Sequence, residues 1–236
     1  MDLIALLESR VSTTGATAGR ISDQTEYDDY ANVIGQGLAA QALSDARSPL
    51  AGQVTSFLLE QQCKPGFFRL AFADAGAADQ SCDGGAGVAD PDATSLAVLS
   101  LQAIDRPTRA VRASIAKGVR WLKRQQRADG GFGGGVSTRA PNANSTGLAA
   151  TVLGRAGVCR PAAKAARWVA RLQVGASSAA GTRLARQVGA VAYQRKVLKD
   201  GLKNGIDKGT VYQWQIATVQ AAPALAYLAP SACAKS

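Results

Sequence analysis

Apolar positions along the chain recur at helical spacing, and two kinds of helix alternate. Over residues 107–126, Val111, Ile115, Val119 and Leu122 fall three and four apart. Arg109, Arg112, Arg120, Lys123 and Arg127 fall on the opposite side. That spacing predicts an amphipathic helix with one buried face and a wet, basic back. The stretches 92–104 and 144–154 are almost free of charge and rich in Ala, Leu, Val, Ser and Gly. A helix apolar on all sides is buried on all sides, and small side chains let helix backbones approach closely. Outer amphipathic helices alternating with inner buried ones describe a two-layer α/α barrel. Outer members are expected to begin near Asp2, Pro49, Pro107 and Pro161. Inner members are expected near Tyr30, Asp92, Asn144 and Thr210, with an extra helix over about 182–199. Asp92 and Asn144 read as the N-caps of their helices, with Pro91 and Pro141 just upstream to discourage an earlier start.

An internal repeat fixes this arrangement. Phe57, Trp121 and Trp168 are each followed closely by Gln: Gln61 and Gln62, Gln125 and Gln126, then Leu172 and Gln173. The first two lead into turns built on Gly and an aromatic residue, Gly66 to Phe68 and Gly130 to Phe132. A second pattern, a small or polar residue before Leu-Ala, begins at Gln36, Thr94 and Thr146, giving copies 58 and 52 residues apart. The unit is a polar-faced helix, a Gly-rich turn and a small-residue helix. About four such pairs fit residues 1–236, which read as a single domain.

Composition narrows the chemistry. The chain of 236 residues is 47% hydrophobic, ample for a core, and only 6% aromatic. It contains no histidine, so Ser-His-Asp and Cys-His nucleophiles and His-based zinc sites are excluded. Four cysteines, Cys63, Cys82, Cys159 and Cys233, include no Cys-x-x-Cys pair. Their even number permits two disulfides and favours an oxidising, extracellular or cell-surface location over buried free thiols. Cys63 and Cys82 bracket one Gly- and Asp-rich loop and are the natural first pair, leaving Cys159 with Cys233. Residues 1–10 lack the basic start and apolar run of a signal peptide, so an export signal is expected outside this chain. No run approaches the length of a transmembrane helix.

The net charge of +10 is unevenly placed: 5 Lys+Arg face 13 Asp+Glu up to Ile104, and 22 face 4 from Asp105 onward. A basic outer surface suits an anionic cell-wall or membrane partner. The absence of interleaved aromatics and of a nucleic-acid-binding motif speaks against nucleic acid. The acidic stretches around Glu26, Asp28 and Asp29, and around Asp79, Asp83, Asp90 and Asp92, lack the alternation and terminal Glu of a calcium loop. The Gly-rich run 130–135 lacks the strand and Lys-Ser or Lys-Thr of a phosphate loop.

The run Gln125, Gln126, Asp129, Gly130, Gly131, Phe132, Gly133 resembles the repeat of prenyltransferases and squalene-hopene-type cyclases, whose fold is the α/α toroid. The whole chain resembles secreted actinobacterial proteins carrying prenyltransferase/squalene-oxidase repeats. The run from Asn142 to Ala149 resembles, more distantly, the inner-helix start of the cobalamin-binding intrinsic factor and transcobalamin family. The resemblance implies a partial toroid, the C-terminal part of a six-pair ring. It implies function less directly, because one fold hosts many functions. Class II cyclases protonate an alkene with an Asp-x-Asp-Asp motif. Here Asp90, Asp92 and Ala93 stand at the matching place, so Asp92 would be the acid and the last Asp is missing. Prenyl transfer needs zinc held by Asp, Cys and His, and the matching turn, 133–144, has none of these. The cobalamin-binding toroids use a concave mouth at the inner-helix starts, where Tyr30, Asn32, Asn142, Asn144, Gln213 and Trp214 lie. They also close over the ligand with a β-domain, of which this sequence shows no sign. Trp121 and Trp168 read as packing residues between outer helices, and Trp214, outside the repeat, as the best single ligand contact. The expectation is a non-catalytic extracellular binding or interaction module with its ligand or partner site at that mouth and no metal or fixed cofactor. A cobalamin-like ligand is one version of it. The alternative is a terpene-cyclase or prenyltransferase-like enzyme acting on an isoprenoid through Asp92.

Overall fold

The computed structural model describes residues 2–85, 87–229 and Cys233. Among them the regular elements are all helical: α1 (Leu3–Glu8), α2 (Val33–Asp45), α3 (Ala51–Glu60), α4 (Pro91–Ala103), α5 (Arg109–Gln125), α6 (Ala143–Arg155), α7 (Cys159–Ala170), α8 (Ala176–Ala179), α9 (Arg195–Asn204) and α10 (Val211–Ala221), with a 3-10 segment at Ala222–Tyr227. Isolated β-bridges join turns, and no strand forms among these residues. The chain divides into two compact units, Met1–Leu122 and Lys123–Ser236, with the boundary inside α5.

In the first unit α2 packs on α3 and α4. The close approach expected of small-residue helices is present: a Cβ placed on Gly37 would lie 3.0 Å from Ser100 Oγ of α4. In the second unit α6 packs on α7, α10 and the 3-10 segment, and all its residues from Ser145 to Gly154 are buried. A Cβ on Gly147 would meet the α10 backbone, with Gln220 O at 2.5 Å. The amphipathic helix α5 buries one face only. Val111, Ser114, Gly118, Val119, Trp121 and Leu122 of α5 are buried, while Arg109, Arg112 and Arg120 are exposed.

The repeat acquires a physical explanation. In the first two copies the second Gln bridges its own turn to the amphipathic helix that follows. Gln62 Nε2 donates to Gly66 O at 3.0 Å and to Ser114 O at 3.0 Å in α5. Gln126 Nε2 donates to Gly130 O at 3.2 Å and Pro161 O at 2.9 Å in α7. The turn glycines have positive φ, 115° at Gly66 and 98° at Gly130, where L side chains are strained. They also press on α5 and α7 respectively, so an added Cβ would lie 2.7 Å from Lys117 O and 2.8 Å from Lys164 O. The turn is then pinned to the small-residue helix after it, α4 or α6: Phe68 N donates to Thr94 Oγ1 and Phe132 N to Thr146 Oγ1, both at 2.9 Å.

A third copy of this device was hidden by an insertion. Gln173 Nε2 donates to Gly189 O at 3.1 Å, and Val191 N to Thr218 Oγ1 at 3.0 Å. Residues 174–188, including α8, separate the Gln from its turn. The extra helix expected over 182–199 is therefore displaced: the chain turns through 180–194, and the helix runs from Arg195 to Asn204, where Gly205 at φ 86° ends it.

The caps also need correction. The N-caps are Asp90, not Asp92, and Asn142, not Asn144. Asp90 Oδ1 accepts from Asp92 N at 2.8 Å and Ala93 N at 3.0 Å. Asn142 Oδ1 accepts from Ser145 N at 2.9 Å. Asn32 caps α2 in the same manner, accepting from Ile34 N at 2.9 Å and Gly35 N at 3.2 Å. Pro91 occupies the first helical turn instead of preceding it, where its missing N–H costs nothing. Asn32, Asp90 and Asn142 follow the same 58- and 52-residue intervals as the small-residue pattern.

Cys63 pairs with Cys82 and Cys159 with Cys233, with Cα–Cα distances of 4.9 and 5.3 Å. No described helix is long and apolar enough to cross a membrane.

Candidate functional site

One candidate site is a groove in the first unit, of about 690 Å³, between α1 and α2. Leu3, Leu6 and Leu7 of α1 form one side, and Gly35, Leu38 and Ala42 of α2 another. The loop from Ile21 to Thr25 and the segment Tyr30–Asn32 close the end, and Arg10 adds a cation. Leu3, Leu6 and Leu38 are 69%, 45% and 59% exposed. Large apolar side chains that share one concave surface and remain exposed mark a place where something else binds.

The polar end is held rigidly. Arg20 is buried and its guanidinium donates to Asp29 Oδ2 at 2.5 Å, to Ala73 O at 2.9 Å and to Gln80 Oε1 at 3.4 Å, while lying 5.2 Å from the Phe72 ring centre. Asp29 Oδ1 accepts from Ala31 N at 3.1 Å and Asp23 N at 3.2 Å. Burial pushes the Asp29 pKa upward, but these backbone hydrogen bonds and Arg20 outweigh it, and the carboxyl sits below its ordinary range. The acidic stretch from Glu26 to Tyr30 is thus a braced loop that delivers Tyr30 and Asn32 to the groove. A second buried arginine continues the brace: Arg69 donates to Gln61 Oε1 at 2.7 and 2.9 Å and to Gln80 O at 2.6 Å. Burial lowers its pKa, which Asp79 partly counters.

Of the residues expected at the site, Tyr30 and Asn32 line this groove and the others do not. Asp92 lies half-buried in the first turn of α4. Asn142 is buried as a cap, with Nδ2 donating to Ala140 O at 3.1 Å and Ser145 Oγ at 2.9 Å. Asn144 is half-buried one turn position further on, and Gln213 is exposed on α10. Trp214 is 3% exposed and packs with Val174, Ala179, Leu184 and Ala192 beneath α9, so its indole is a core group of the second unit. Of the two packing tryptophans, Trp121 is buried with its ring centre 5.6 Å from that of Phe67. Trp168 is half-buried and donates from Nε1 to Asp129 Oδ2 at 2.9 Å. Sequence reasoning missed Leu3, Leu6, Arg10 and Leu38. The available signal was that α1 and α2 both carry leucines on more than one face.

Another concave surface, of about 530 Å³, belongs to the second unit. Asp129, Trp168, Arg171, Arg195 and Lys196 are among the residues lining it. Asp129 accepts from Gly131 N at 3.0 Å as well as from Trp168, and these bonds hold its carboxyl below the usual range. No group of three or more His, Cys, Asp or Glu side chains placed to hold a metal occurs among the described residues. No protein-family model matches the sequence, and no curated protein is significantly similar to it.

Proposed function

We propose that this chain is an extracellular, non-catalytic binding module of the α/α-toroid kind. Its ligand site is the groove between α1 and α2, and the ligand is a small molecule with an apolar body and a polar end. The observation that carries this reading is the juxtaposition of exposed Leu3, Leu6 and Leu38 with Tyr30, Asn32 and Arg10 in one cavity. Two disulfides support the extracellular location, and the recurring Gln–Gly–Thr bonding supports the repeat architecture. Binding is favoured over isoprenoid cyclisation because Asp90, the partner Asp92 would need, serves as the helix cap, its Oδ1 accepting two backbone N–H groups. Moreover, Asp92 does not line the groove.

Gly35 provides the test. It lines the groove, and a Cβ there meets nothing within 4 Å. Gly35→Trp and Leu38→Glu are expected to weaken binding of an apolar fluorescent probe such as anilinonaphthalene sulfonate at least tenfold, about 1.4 kcal/mol, with little change in melting temperature. Unchanged probe affinity in both variants overturns the reading.

A further inference from the structure

The second unit holds 17 Lys and Arg against three carboxylates, Asp129, Asp200 and Asp207. Such an excess cannot be neutralised within the unit, and like charges repel one another in the compact state. The charges are also ordered. On α7 and its C-cap, Arg160, Lys164, Arg167 and Arg171 follow at spacings of four, three and four, all exposed. The opposite face of that helix buries Ala162, Ala163, Ala165, Ala166 and Val169. Four cations thus run in one line over about 16 Å, with roughly 5 Å of rise between neighbours. Exposed Arg195, Lys196, Lys199 and Lys203 repeat the theme on α9, and only Asp200 interrupts it, pairing with Lys196 at 2.6 Å. Acidic residues at i,i+4 would pair such cations; α7 has none.

The line leads somewhere. Arg171, its last member, lines the 530 Å³ groove together with Arg195 and Lys196 of α9 and the half-buried indole of Trp168. The groove's one carboxylate, Asp129, is occupied by Trp168 Nε1 and Gly131 N. The cavity therefore offers Arg171 and Arg195, a third cation shared with Asp200, and an aromatic ring to a ligand.

We propose that α7 and the adjoining groove form a binding surface for an acidic polysaccharide, a polymer with regularly spaced negative charges and sugar rings. The basic line takes the charges, and Trp168 takes a sugar ring at its end. A flat membrane fits less well, because α7 buries its apolar face and Val197, Leu198 and Leu202 of α9 are half-buried against the core, leaving little apolar surface on these helices to enter lipid. Single-stranded nucleic acid calls for a series of stacking rings, and the surface has one.

The test uses the full chain with polygalacturonate and heparin, neutral dextran as a control, an oligodeoxythymidine and phosphatidylglycerol vesicles. Both acidic polysaccharides are expected to bind with an affinity that falls steeply with salt, and dextran is not. R160Q/K164Q/R167Q is expected to lose at least tenfold in affinity and to lower the slope of log K against log salt by about 2. R195Q/K199Q is expected to lose about threefold, and K64Q/R106Q, in the other unit, less than twofold. All these side chains are exposed, and circular dichroism checks that each variant keeps its helix content. Polysaccharide affinity unchanged in the triple variant overturns the proposal. So does oligodeoxythymidine or vesicle binding as tight as that of polygalacturonate and equally sensitive to the same substitutions.

Discussion

At the scale of single residues, the groove in the first unit depends on one ion pair. Asp29 is held below its ordinary pKa of 3.8 by hydrogen bonds that overcome the cost of burial, and Arg20 is its partner. A depressed carboxyl pKa contributes stability that is complete above the unfolded value and disappears as pH falls through the folded one. This pair therefore supports the fold at neutral pH and weakens it below about pH 4. Asp29→Asn is expected to lower stability at pH 7 by about 2 kcal/mol, the scale of a charge-assisted hydrogen bond. It should also flatten the acid side of the stability profile in urea melts. A variant with the wild-type acid profile would show that other carboxylates dominate it. The identity of Asp29 could be read from the sequence as one acid in an acidic stretch. Its partner could not: Arg20 meets it through a loop, while Ala73 and Gln80, far along the chain, complete the site.

At the scale of elements, the repeating helices were legible, while their edges and the insertion after Gln173 were not. Amphipathic α5 and all-apolar α6 follow directly from 3.6-residue spacing. Two candidate caps two residues apart, Asp90 or Asp92 and Asn142 or Asn144, carry the same side-chain chemistry. Only backbone geometry decides which oxygen meets the free N–H groups. The third Gly turn was concealed for a different reason. The motif is a spatial unit of Gln, Gly and Thr, and an insertion of 174–188 leaves its contacts intact while removing its spacing. Two helical glycines with opposite environments test the packing. Gly35 of α2 has open space around a new Cβ, so Gly35→Ala is expected to stabilise by about 0.5–1 kcal/mol. Gly147 of α6 meets the backbone of α10, so Gly147→Ala is expected to destabilise by about 1–3 kcal/mol. Denaturant midpoints measured side by side check both; equal shifts would mean that α6 and α10 are not in close contact.

At the scale of the molecule, the disulfides close loops with sequence separations of 19 and 74. The longer one ties the start of α7 to Cys233. On loop length alone each is expected to contribute about 3–4 kcal/mol, with more from the longer loop. Cys159→Ala/Cys233→Ala should therefore lower the thermal midpoint more than Cys63→Ala/Cys82→Ala, as read by calorimetry. The reverse order would mean that the 63–82 loop is the more dependent on its crosslink.

The sequence by itself determined that the chain is helical, that amphipathic and uncharged helices both occur, and which helix faces are basic; it made Cys63 and Cys82 the natural first pair, and the structure set both pairings. What the sequence determined follows from local periodicity, composition or the bracketing of one loop. Tertiary structure decided which polar residues serve the backbone and which face a cavity. Trp214 went to the core and Asn142 to a cap, while Tyr30 and Asn32 reached the groove beside leucines the sequence had not marked. The physical reason is that a side chain's role is set by what lies opposite it, and in this fold the facing group comes from another helix or turn.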